Sequence, residues 1–146
     1  MKEQLVEFET AKLAKEKGFN YPTSCGYEEK GEIYRPHYWD SDCETNMIVL
    51  KEDSLDEDVP YLAPTQALLQ RWLRGEHNIV VVLIPERYSD RVNYLIQAQK
   101  WYLSVDPSTS PNFIVEGGGW FNDNGDYPTY ERALEKGLQE ALKLIK

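Results

Sequence analysis

The chain has 146 residues, 41% of them hydrophobic and 12% aromatic, and its 16 Lys/Arg against 25 Asp/Glu leave a formal charge of −9. No apolar run approaches the roughly 18 residues of a membrane helix, and no basic, apolar leader opens the chain. Two cysteines are too few for a disulfide scaffold, so the expectation is an acidic, globular, cytoplasmic protein with one core over residues 1–146.

The first predicted element is a helix over Glu7–Lys17, rich in helix formers and closed by Gly18 at the left-handed position after the last turn. Phe19 follows where an apolar contact back onto that turn is common. The helix's apolar face is thin, which places it on the edge of the domain. Cys25–Tyr38 reads as a hairpin with Lys30-Gly31 as a two-residue turn, setting Tyr27 opposite Tyr34 and Glu29 opposite Glu32. Next comes an acidic stretch. Between Asp40 and Asp58 stand Asp40, Asp42, Glu44, Glu52, Asp53, Asp56, Glu57 and Asp58, with Lys51 as the single base. Its plain reading is a solvated segment kept extended by like charges. Calcium would need the D-x-[DN]-x-[DN]-G spacing and its glycine, which the stretch lacks.

The second helix is signalled by Pro64 at its first position and Gln66 at its third, with Leu68, Leu69, Trp72 and Leu73 as its apolar stripe and Asn78 as its stop. Ile79–Ile84, β-branched and closed by Pro85, reads as a buried strand. Arg91–Gln97 alternates as a second strand, joined to the first by a hairpin through Glu86–Asp90. Trp101–Val105 extends it or adds a strand, and Phe113–Val115 or Trp120–Phe121 supplies another, beyond the loop Asp106–Pro111. The last helix is the clearest element. Tyr130, Ala133, Leu134, Gly137, Leu138, Ala141, Leu142 and Ile145 recur at helical spacing behind the N-cap Thr129. Gly137 on that apolar face implies the close approach of a sheet backbone or a bulky aromatic.

These elements compose an α+β fold: an antiparallel sheet of three to five strands with the Pro64 and Thr129 helices on one face. Residues 61–146 form an α-β-β-β-α unit in the order of a double-stranded-RNA-binding domain. Residues 1–60 (helix, hairpin and acidic loop) form an acidic N-terminal extension to it.

The run Ala63-Pro-Thr-Gln-Ala-Leu-Leu-Gln-Arg-Trp-Leu-Arg74 with His77-Asn-Ile79, and the ending Tyr130-Glu-Arg-Ala-Leu-Glu-Lys-Gly-Leu-Gln-Glu-Ala-Leu142, resemble two signatures of a family of small proteins encoded in phages and prophages of gut anaerobes. The opening Phe8-Glu-Thr-Ala-Lys-Leu-Ala-Lys-Glu-Lys-Gly-Phe19 fits the same pattern. The resemblance implies a setting and no assigned activity, so no catalytic residue is carried over.

Several residue groups bear on function. A double-stranded-RNA-binding domain opens its final helix with lysines that hold phosphates. Here that place reads Pro128-Thr-Tyr-Glu-Arg132, one base and one acid, and no basic patch stands elsewhere, so nucleic acid is not the expected partner. Cys25, His37 and Cys43 lie within 19 residues, but their spacings match no paired zinc-ligand motif, and no metal or cofactor is expected. The chain has no G-x-S-x-G, P-loop or H-E-x-x-H, and Glu116-Gly117-Gly118-Gly119-Trp120 reads as a turn or bulge. Cys25 or Cys43 with His37 or His77 supplies a nucleophile–base pair on inventory alone. Trp101, Tyr102, Trp120, Phe121 and most other aromatics read as core. Tyr34, Tyr38 and Trp39, crowded beside the acidic stretch, are the candidate protein-binding surface. The sequence therefore points to a non-catalytic accessory module that binds another protein. Nucleic-acid binding is the second reading, and a small hydrolase the third.

Overall fold

A computed structural model describes residues 4–36, 50–55, 57–87, 92–104, 112–116, 120–121 and 127–146. Over these residues it is an α+β protein with three α-helices and two antiparallel sheets. The fold divides into two compact units, Met1–Leu68 and Leu69–Lys146. Residues 1–60, expected as an extension to a single sheet, belong to a unit with a helix and a sheet of its own.

In the first unit, α1 (Phe8–Glu16) starts without a side-chain cap at Glu7 and buries the small face of Thr10, Ala11 and Ala14. Its C-terminus follows the sequence expectation closely. Gly18 takes φ +84°, its N–H donates to the carbonyl of Lys15, and the N–H of Phe19 donates to that of Ala14. These two bonds are the Schellman pattern that satisfies the last carbonyls, and Phe19 is buried behind them.

The sheet has the order β2-β1-β3, from β1 (Gly26–Tyr27), β2 (Ile33–Tyr34) and β3 (Tyr61–Leu62), and α1 packs against β3. The hairpin register is one residue from the expected one: Tyr27 pairs with Ile33, and Gly26 with Tyr34. The cause is the turn. The N–H of Gly31 closes a turn onto Glu28, and Gly31 itself sits at φ +84°. A type I turn followed by a left-handed glycine is a three-residue loop, so Glu29, Lys30 and Gly31 all leave the ladder. Glu28 then faces Glu32, replacing the expected Glu29–Glu32 pair, and its N–H donates to the Glu32 carbonyl.

Short ladders tie this unit together. The N–H of Val6 donates to Pro64, that of Gln66 to Gln4, and Thr23 and Leu50 exchange bonds of 2.9 and 2.7 Å. The Phe8 ring packs edge-on against Tyr27 and Tyr61, each 5.5 Å away, and the Tyr27 hydroxyl donates to the Val6 carbonyl at 2.6 Å. Val6, Phe19, Tyr27, Val59, Leu62 and Ala63 are buried around them.

Helix α2 (Gln66–His77) starts two residues later than Pro64 would place it, because Thr65 is the cap: its hydroxyl accepts the Leu68 N–H at 3.2 Å. Asn78 ends it with φ 55°, the left-handed stop expected of it.

In the second unit, β4 (Ile79–Arg87) and β5 (Val92–Ser104) pair antiparallel along the whole of β4. The other edge of β5 carries β6 (Asn112–Glu116) and β7 (Trp120–Phe121), so the sheet has four strands. Two expectations are corrected here. Pro85 lies inside β4 and does not close it, which an edge strand permits, and only Ile79 of β4 is fully buried. α3 (Tyr130–Lys143) lies along β4 and β5, whereas α2 makes no comparable set of contacts with those strands.

The Thr129 hydroxyl caps α3 at the Arg132 N–H, and Ala133, Leu134, Leu138, Ala141 and Leu142 are buried. Among the described residues, the atoms nearest Gly137 belong to aliphatic side chains rather than to a sheet backbone or an aromatic. A β-carbon there would lie 2.6 Å from Val81 Cγ1 and 3.0 Å from Ile96 Cγ2.

Candidate functional site

Period-two alternation sorts the side chains of the first sheet. Tyr27, Ile33 and Tyr61 share one face, where Phe8 meets the two tyrosines. Gly26, Tyr34, Glu28 and Glu32 share the other. There Val59 approaches Gly26 so closely that a β-carbon would lie 2.5 Å from its Cγ1. Glu57, Asp58 and Val59 thus stand over the same face as Glu28, Glu32 and Tyr34.

Between them is an open hollow of about 590 Å³, lined by Glu28, Glu29, Lys30, Glu32, Tyr34, Glu57, Asp58 and Val59. Five carboxylates and one lysine make it strongly acidic. They are spread along its walls: among the described residues no three His, Cys, Asp or Glu side chains gather closely enough to hold a metal ion. A dispersed negative field of this kind complements an extended basic surface better than a single cation.

β2 forms the rim. Among the described strands it is, with β3, one of the two edge strands of its sheet, and its two side chains are the open ones: Ile33 is 45% exposed and Tyr34 37%. The Glu28–Glu32 backbone bond also sets the direction of the main chain. With that pair hydrogen-bonded, the next pair, Tyr27–Ile33, is not, so the N–H and C=O of Ile33 point away from β1.

Of the candidate binding residues, Tyr34 is therefore on the rim, while Tyr38 and Trp39 lie outside the described residues. The same holds for His37, Cys43 and the Gly117–Gly119 run. Cys25 is buried, with its Sγ 3.8 Å from the Ser24 hydroxyl, and the His77 ring packs edge-on against Trp72 at 4.4 Å. Sequence reasoning missed Ile33 and the acids Glu28, Glu29 and Glu32. Their signal was present in the run Glu28-Glu29-Lys30-Gly31-Glu32, which carries three acids within a turn.

The second unit offers a different surface. Pro128–Arg132, where a duplex-RNA binder would carry lysines, is exposed and contains Arg132 and Glu131. Tyr130 is 47% exposed and leans edge-on against Tyr94 at 6.1 Å. No helix among the described residues is long and apolar enough to cross a membrane. Compared with known families, curated proteins and solved structures, the chain matches none.

Proposed function

We propose that the chain is a non-catalytic protein-binding module, an accessory protein of the phage type its signatures resemble, and that β2 and the acidic hollow take a partner with a basic surface. The observation that carries this reading is the exposed Tyr34 among the five carboxylates that line the hollow, with Ile33 exposed on the other face of the same edge strand. An aromatic anchor surrounded by charge is the composition from which protein interfaces draw affinity and steering together. Aromatic side chains also accept the cationic groups of Arg or Lys over their faces.

The second reading, duplex RNA bound to the Leu69–Lys146 unit, draws on its helix–strands–helix order. With 9 Lys/Arg against 10 Asp/Glu in that unit, it lacks the positive field that phosphate contacts require. Photo-cross-linking residues at positions 34 and 130 test the two readings: a covalent protein adduct from position 34 in cell lysate supports the first, and an adduct from position 130 that nuclease removes supports the second.

A further inference from the structure

Among the described strands, β4 is the outer strand of the second unit's sheet and pairs with β5 alone. Its first six residues, Ile79–Ile84, are all aliphatic. Val80–Leu83 are half-buried and Ile84 is exposed. Sheet edges are ordinarily guarded by charge, proline or a bulge, because their free N–H and C=O groups template another strand. Here the guards come late, at Pro85, Glu86 and Arg87.

Hydrogen-bond parity says which groups are free. Tyr94 stands opposite Pro85, yet its N–H donates at 2.9 Å to the side chain of its neighbour Asn93. The Pro85–Tyr94 pair is thus the non-hydrogen-bonded kind, and alternation turns the main-chain groups of Ile79, Val81 and Leu83 away from β5 as well. Pro85 occupies the next outward place and has no N–H to offer there. The free ladder therefore runs from Ile79 to Leu83 and stops.

We propose that a second copy of this chain completes that edge, antiparallel, about a two-fold axis at Val81. Val81 then pairs with the partner's Val81, and Ile79 with the partner's Leu83. Every outward group on one copy meets an outward group on the other, giving about six new main-chain hydrogen bonds. The neighbouring registers are worse: one brings Pro85 into the ladder, and the other leaves outward groups unpaired.

Charge opposes this occupant little. Leu69–Lys146 carries 9 basic and 10 acidic residues, so two copies meet here at a net −1 each, whereas Met1–Leu68 carries 7 and 15. On the sheet face away from Gly137, Val80, Val82 and Ile84 form an aliphatic row that continues across the axis, adding cross-strand apolar contacts.

The test is sedimentation equilibrium of the full chain over a wide concentration range, with amide hydrogen exchange at its two ends. The mass is expected to rise from 17.0 kDa toward twice that value, with the Val81 N–H becoming protected as it does. Leu83→Pro removes an outward N–H without touching the β4–β5 ladder, and Val82→Lys sets like charges beside the axis. Each is expected to keep its circular dichroism and to weaken association by about tenfold or more. Three outcomes overturn the proposal: a chain monomeric throughout, a dimer whose Val81 N–H exchanges as fast as the monomer's, or folded variants that associate like the parent. Should one variant fail to fold, the other and the exchange measurement decide.

Discussion

Gly137→Ala sets two magnitudes of opposite sign against each other. In an open helix the alanine would stabilise α3 by about 1 kcal/mol. Here its β-carbon meets Val81 Cγ1 at 2.6 Å and Ile96 Cγ2 at 3.0 Å. Both neighbours are β-branched and stiff at χ1, Ile96 is 1% exposed, and both sit in the paired part of β4 and β5, so neither can turn aside cheaply. Overpacking of this kind costs about 1–3 kcal/mol, which exceeds the helical gain. Urea denaturation should find Gly137→Ala less stable than the parent by about 1–2 kcal/mol. In a Val81→Ala background the nearest methyl is gone, and the same change should become neutral or stabilising by up to about 1 kcal/mol. The cycle would then report a coupling of roughly 1–3 kcal/mol between positions 81 and 137. An alanine that stabilises the parent outright, or acts identically in both backgrounds, would refute this account of the helix–sheet contact.

Two further outcomes follow from single residues. Gly31→Ala forces an L-residue to φ +84° with its β-carbon 3.0 Å from the Phe8 ring, so the chain should lose about 1–2 kcal/mol or more. Urea melts would detect the loss, and a melt that matches the parent would remove the three-residue loop as the cause of the hairpin register. Glu140 carries the pH prediction. Burial pushes its carboxyl up, but the Lys143 and Lys136 ammonium groups, 2.8 and 3.0 Å from Oε1, outweigh that and hold it below its ordinary 4.5. A carboxyl lowered by folding adds stability above its unfolded value and loses it as pH falls through the folded one. Glu140→Gln should therefore be less stable than the parent near neutral pH, with the gap in thermal melts closing as pH drops below about 4.5. A gap that does not change with pH would show that the lysine pair contributes nothing.

Local signals carried much of the fold. The periodic face of α3, the Thr129 cap, the Gly18 stop and Asn78 were all readable because each is a property of a few neighbouring residues. The hairpin register was not, since Lys30-Gly31 suits a two-residue turn as well as Gly31 suits the third place of a longer loop. Whether Trp101–Val105 extends the Arg91–Gln97 strand or forms another is open in the sequence, where Gln97-Ala98-Gln99-Lys100 between them is mostly polar. Pairing with β4 on one side and with β6 and β7 on the other keeps β5 continuous, and that information lies far away in sequence. The candidate site divides the same way. Tyr34 could be singled out from its neighbours. The hollow could not, because it forms only when 28–34 meets 57–59 across an intervening stretch of chain.

The central claim is that the β2 rim and its hollow bind a basic protein partner, and cross-linking from that rim tests it most directly. The chain with Tyr34→p-benzoylphenylalanine would be irradiated in lysate of the cells that carry it, beside the same replacement at Tyr130, an exposed aromatic of the other unit. The account predicts a discrete protein adduct from position 34 that survives nuclease, fades as salt screens the hollow, and does not form from position 130. No adduct, an adduct that nuclease removes, or equal adducts from both positions would contradict it.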